Sequence, residues 1–147
     1  MREYHLLTPE KLAVTFTQVK GTLPDSVRDI GIFAQLYWAK TSAFFELGNL
    51  EGALWLVNIS IGWKAIIHLV LWGERLRHRV NDAREILREL MDLFQLCKVE
   101  AYIPVTNEAA LKFTIKAGFV KEGILKQWDR YDGQLVDIAV YSILKEN

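Results

Sequence analysis

The sequence predicts an α/β fold in which a mixed, mostly antiparallel sheet carries helices on both faces and contains one central parallel strand pair. Three observations predict it. Residues 43–72 hold three β-rich runs in succession, separated by Gly48-Asn49 and by residues 60–63, which reads as an antiparallel meander. Next comes an apolar stripe at helical spacing, Ala83, Ile86, Leu87, Leu90 and Phe94, leading into a short strand at 99–103. That helix is a crossover, so the strands on either side of it should be parallel. Finally, runs at 120–128 and 136–143 flank Asp132-Gly133, a strong hairpin dipeptide.

Each element has a local cause. Residues 2–7 read as a short strand, and Thr8-Pro9-Glu10 supplies a cap, a first-turn proline and an early acid for a helix running to about Lys20. Gly21 to Pro24 breaks that helix. Asp25 or Ser26 is the expected cap of a second one, in which Val27, Ile30, Phe33, Ala34, Tyr37 and Trp38 recur at helical spacing. The meander runs are 43–47, 53–59 and 65–72. The third is apolar on both faces apart from His68, as expected of a strand covered by helices on both sides. Asp82 with Glu85 forms a capping-box pair for the crossover helix. Asn107 opens a further helix, and Gly118 closes it in the left-handed position after Ala117. Trp38, Trp55 and Trp72 lie in apolar periodic runs and belong to the core, whereas Trp63 falls in a turn and should be exposed.

Bulk composition narrows the function. With 147 residues, 51% of them hydrophobic, the chain is expected to form one domain over 1–147. Basic and acidic residues number 18 each, so no net field draws nucleic acid or an anionic membrane, and neither is expected as a partner. Cys97 stands alone in an apolar helical stretch and reads as a buried, inert thiol. No stretch approaches about 18 uncharged apolar residues and the N-terminus shows no apolar leader core, which points to a cytoplasmic location. Metal-ligand spacings, a Gly-x-Ser-x-Gly elbow, a Walker loop and Gly-x-Gly-x-x-Gly are all missing, which removes metal, hydrolase and nucleotide-phosphate readings.

The last third is the most specific text. It reads Val99-Glu100-Ala101-Tyr102, Asn107-Glu108-Ala109-Ala110, then Lys116-Ala117-Gly118-Phe119-Val120-Lys121-Glu122-Gly123, and ends with Asp132-Gly133, Asp137 and Val140-Tyr141-Ser142. With the element order β-α-α-β-β-β-α-β-α-β-β, this resembles the GNAT superfamily of acyl-CoA N-acetyltransferases, and in the C-terminal third its ribosomal-protein branch. The resemblance implies acetyl-CoA as co-substrate and an amine of a small molecule, protein or peptide as acceptor. It also implies that the strands at 65–72 and 99–103 splay apart to admit the pantetheine arm, which would lie along Leu69, Val70 and Leu71 and near Asn107. Pairing of two copies as a homodimer is implied as well.

GNAT enzymes carry Gln/Arg-x-x-Gly-x-Gly/Ala before the crossover helix, so that bare backbone N–H groups at a helix start can wrap the pyrophosphate. Here the six residues are His78-Arg79-Val80-Asn81-Asp82-Ala83, of which Ala83 keeps the pattern. Asn81 replaces a glycine with the residue that next most readily enters the left-handed region. Asp82 sets a carboxylate where a phosphate should sit. Arg75, Arg77, His78 and Arg79 offer cationic partners in exchange, the plain alternative being a solvated basic turn. A chain with so altered a loop also resembles non-catalytic GNAT-like virion components of bacteriophages, in which the fold serves a binding or structural role.

Acetyl transfer asks for a base, for donors that polarise the thioester carbonyl, and for an acid to meet the thiolate. His68, in the strand bordering the cofactor slot, is the leading base, with an ordinary pKa suited to neutral pH. Glu46, on the first strand of the meander, and Tyr102, beside the slot, are the other catalytic candidates. Thr114 stands where many GNAT members place a tyrosine acid. No motif identifies the acceptor.

Overall fold

The computed structural model describes residues 4–73 and 80–146. Its strands are β1 (Tyr4–Leu6), β2 (Ala43–Leu47), β3 (Gly52–Ser60), β4 (Lys64–Leu71), β5 (Lys98–Pro104), β6 (Val120–Tyr131) and β7 (Gln134–Leu144). Its helices are α1 (Leu12–Val19), α2 (Ile30–Trp38), α3 (Val80–Leu93) and α4 (Glu108–Lys116). All seven strands join one sheet in the order β1-β2-β3-β4-β5-β7-β6. β4 and β5 are parallel and every other neighbour pair is antiparallel, which is the architecture the patterning implies.

Strand alternation sorts the side chains into two cores. On one face Phe33 of α2 and Val19 of α1 pack on Phe44, Trp55 and Val57. On the other, Ile86, Leu87, Leu90 and Met91 of α3 pack on Leu54, Leu56, Val99 and Ala139. Leu90 is fully buried, so Leu90→Ala should cost about 2–5 kcal/mol through lost transfer energy and the cavity left behind. Among the described residues no helix is long and apolar enough to cross a membrane.

Several local expectations are corrected. α2 is capped by Asp29, whose carboxylate accepts from the N–H groups of Gly31 and Ile32, and not by Asp25 or Ser26. α3 is already under way at Val80, so Asp82 and Glu85 lie inside it and do not cap it. Asn81 is helical and not left-handed. An acid in a first turn meets the positive helix end, which makes Asp82 acceptable there without a capping role. Trp38, the last residue of the short α2, is 66% exposed, because Phe33 takes the inward face and the final turn swings Trp38 outward against Tyr37. Trp55 is fully buried and Trp63 is exposed, as expected. Cys97 is exposed, since α3 ends at Leu93 and the chain reverses at Gln95, which has φ 55°.

Candidate active site

β4 pairs with β3 from Lys64 to Leu71 with one irregularity between Val57 and Ser60, and β5 pairs with β7 along its whole length. Between β4 and β5 the register covers just Lys64↔Lys98, Ala65↔Val99 and Ile66↔Glu100. The join is reinforced at its base, where the carbonyl of Trp63 accepts from the N–H groups of Cys97 (2.6 Å) and Lys98 (3.2 Å). Beyond Ile66 the strands part. The β5-facing backbone groups of residues 67–71 are left without a ladder partner, a costly state unless something else bonds to them. β4 is consequently half-buried over most of its length, not covered on both faces.

The opening contains a cavity of about 480 Å³. Its lining includes Leu54, Leu69, Leu87, Ala101 and Phe119 on the α3/α4 face and Trp55, His68 and Tyr102 on the α1/α2 face, so it passes through the sheet. Thr22, Pro24 and Tyr131 bound it at the α1/α2 end, while Arg84, Asn107 and Thr114 border it on the α3/α4 side.

His68 ends a cross-strand aromatic column. Phe44, Trp55 and His68 are register partners on β2, β3 and β4, and their rings stack at 5.3 Å each, with interplanar angles of 3° and 13°. Burial lowers the pKa of the imidazole from 6.5 to about 4, so the near-neutral value on which its choice as a base rested is lost in the fold. A ring that stays neutral can accept a hydrogen bond but does not store a proton at pH 7.

Tyr102 lies on the same face two residues beyond the last β4–β5 pair, and burial, with Glu100 adding to it, raises its pKa. Glu46 is elsewhere. It is 1% exposed, and its Oε1 meets Lys11 Nζ at 2.7 Å and His5 Nε2 at 3.1 Å. Burial alone would raise its pKa, but the hydrogen bonds and charges of Lys11 and His5 outweigh that and hold it below the ordinary value. It does not line the cavity.

Of the residues expected to hold the cofactor, Leu69, Val70, Leu71, Ala83 and Asn107 line the cavity. Val80, Asn81 and Asp82 form the first turn of α3 without lining it, and Arg75, Arg77, His78 and Arg79 lie outside the described residues. Asn107 also caps α4, its Oδ1 accepting from Ala110 N at 3.1 Å, so the capping and slot-lining readings of this residue hold together. Thr114 spends its hydroxyl proton on the carbonyl of Ala110 at 2.7 Å.

Sequence reasoning missed Arg84, Thr22, Pro24 and Tyr131. Arg84 was discoverable as the cation directly after Ala83. Tyr131 was not, because it reaches the cavity by a tertiary clamp. Asp132 and Gly133 form the two-residue turn of the β6–β7 hairpin with φ of 51° and 80°. Their N–H groups each donate to the Asp25 carboxylate at 2.8 Å, and Arg28 bridges Asp132 to the carbonyl of Leu23. The N–H of Gly133 first, then that of Asp132 and the charges of Arg28 and Arg130, outweigh desolvation and lower the pKa of Asp25. Asp25, expected to cap a helix, caps a hairpin instead.

Over the whole described chain this architecture matches solved acetyltransferases. A ribosomal-protein-S5-alanine acetyltransferase from Vibrio fischeri superposes with a TM-score of 0.76 at 14% identity, covering 98% of this chain and 93% of that one. A spermidine N-acetyltransferase from Vibrio cholerae, solved with CoA and spermine, superposes with a TM-score of 0.73 at 19% identity, covering 96% and 94%. The chain has the GNAT fold.

In sequence it is 30% identical over 78 residues to an uncharacterized N-acetyltransferase, p20, of Bacillus licheniformis, spanning 50% of this chain and 40% of the relative. It is also 40% identical over 50 residues to an uncharacterized N-acetyltransferase, YoaA, of Bacillus subtilis, spanning 34% and 28%. The chain thus matches less than half the length of these curated relatives. No family model matches it. The GNAT resemblance read from residues 99–142 holds for the fold, including the splay of its two central parallel strands.

Proposed function

We propose that this chain is an acetyl-CoA-dependent N-acetyltransferase acting on an amine. The observation that carries the reading is the opening of β4 from β5 after three rungs, with a cavity running through the sheet at that point. Relatives and structural neighbours named as N-acetyltransferases support it.

In this reading the pantetheine arm takes the place of the missing ladder, its amides bonding to the free backbone groups of residues 67–71 as a neighbouring strand would. Arg84 supplies positive charge toward the phosphates, in addition to the positive end of α3. The acetyl group lies at the His68/Tyr102 end. The amine nitrogen attacks the thioester carbonyl, the N–C bond forms, the C–S bond breaks, and the sulfur leaves with the electron pair. Neutral His68 orients the amine by accepting one N–H. The proton the amine gives up passes through cavity water to solvent, since an imidazole of pKa about 4 does not retain it. Tyr102, protonated at neutral pH, is the O–H donor assigned to the departing sulfur.

Calorimetric titration with acetyl-CoA, followed by thiol release with an amine panel, tests this. Saturable binding and amine-dependent CoA release are the expected results. Absence of acetyl-CoA binding overturns the proposal and returns the chain to a non-catalytic GNAT-fold binding role.

A further inference from the structure

We infer that the acceptor end of the slot takes an arylalkyl monoamine and discriminates against polyamines. This rests on the transferase reading above and adds the substrate class. The α1/α2 end of the cavity is walled by Thr22, Pro24, Trp55, His68, Tyr102 and Tyr131, which offer aromatic rings and neutral hydrogen-bonding groups. Among the described lining residues the charged one is Arg84, on the opposite face of the sheet.

The neutrality has specific causes. Desolvation keeps His68 uncharged, and desolvation with the charge of Asp129 raises Tyr131 to about 12, further above neutral pH than its ordinary value. The carboxylates around this end have partners of their own, and Asp129, whose charge adds to the rise at Tyr131, accepts from the N–H of Arg130 at 2.9 Å. Asp25 holds the N–H groups of Asp132 and Gly133, and Asp132 holds Arg28. Glu100 faces Lys64 at 3.5 Å and Lys98 at 3.8 Å, and Glu46 is locked by Lys11 and His5.

Such a wall handles one ammonium and not several. A single ammonium is attracted by tyrosine ring faces until it loses its proton for attack, and an aromatic body stacks on the rings that line the pocket. Each further ammonium of a polyamine must shed its water with no carboxylate among the described lining residues to replace it. The Asp25 clamp fixes the hairpin turn next to Tyr131, which lines the cavity wall.

The test compares 2-phenylethylamine with spermidine at saturating acetyl-CoA, reading CoA release, alongside titration of each amine into the CoA-saturated protein and of acetyl-CoA into the free protein. The expected result is a kcat/KM for 2-phenylethylamine at least tenfold above that for spermidine. Thr22→Glu, which adds a carboxylate at the mouth, should raise spermidine turnover at least fivefold. Equal or better use of spermidine by the wild type overturns the inference. So does a protein that binds acetyl-CoA but neither binds nor acetylates 2-phenylethylamine, an outcome that leaves the cofactor slot standing. Failure to bind acetyl-CoA at all removes the transferase reading and the acceptor class together.

Discussion

The first three residues of β4 pair with β5, and the strand pairs with β3 on its other side, whereas the last five pair with β3 alone. The lower half, Lys64-Ala65-Ile66, has if anything the weaker strand formers, so strand propensity does not explain why it is the half that is paired. The neighbouring strands do. The sheet consists of two blocks, β1 to β4 and β5-β7-β6, each zipped internally and joined at one end by three rungs and the Trp63 carbonyl. Sheet twist carries the far ends apart once nothing ties them. The lower half of β4 is therefore structural, and its upper half presents unspent hydrogen-bonding groups to the cavity.

Filling the gap should make the upper half behave like the lower. Ala101→Phe places a ring in the slot between the strands and should weaken acetyl-CoA binding more than hundredfold, upward of about 2.7 kcal/mol, by calorimetry. Overpacking should cost about 1–3 kcal/mol of stability, so circular dichroism will show a folded variant.

The second test concerns acid. His68 stays neutral in the fold down to about pH 4, while the unfolded imidazole takes its proton near 6.5. Between those values the unfolded chain binds the extra proton, so stability declines as pH falls through that window, by at most about 3 kcal/mol since cavity water relieves part of the desolvation. His68→Phe keeps the stack on Trp55 and should abolish this decline in urea melts at pH 7 and pH 4.5.

A smaller effect is expected at the α3/α4 side of the slot. Arg84→Glu should weaken acetyl-CoA binding about tenfold, near 1.4 kcal/mol, and should flatten its dependence on salt. Unchanged affinity would remove Arg84 from the phosphate site. Smallest is Glu46→Gln, which should lower stability by about 1 kcal/mol in chemical denaturation while leaving acetyl-CoA affinity at the wild-type value, because Glu46 braces β1 and the turn before α1 and stands apart from the cavity.

Much of the fold was legible because its causes are local. The hairpin at Asp132-Gly133, the cap at Asn107 and the left-handed Gly118 are decided within a few residues of chain, and each stands where the patterning put it. The resemblance to the GNAT superfamily, and not local patterning, is what set His68 and Tyr102 beside a strand gap, and both line the cavity. Local patterning misjudged Trp38 and Cys97, since apolar character says a side chain favours burial but not whether a helix is long enough to bring it inward.

By itself the chain determined the element order, the parallel crossover and the two faces of the sheet, since these follow from periodicity and turn chemistry. Tertiary structure alone decided which groups meet. It consumed Glu46 in an ion pair, turned Asp25 from a helix cap into a hairpin clamp, drew Tyr131 into the wall and moved the His68 pKa to about 4. The reason is that hydrogen-bond partnership and desolvation depend on distance through space, and residues such as Asp25 and Gly133 stand 108 positions apart along the chain.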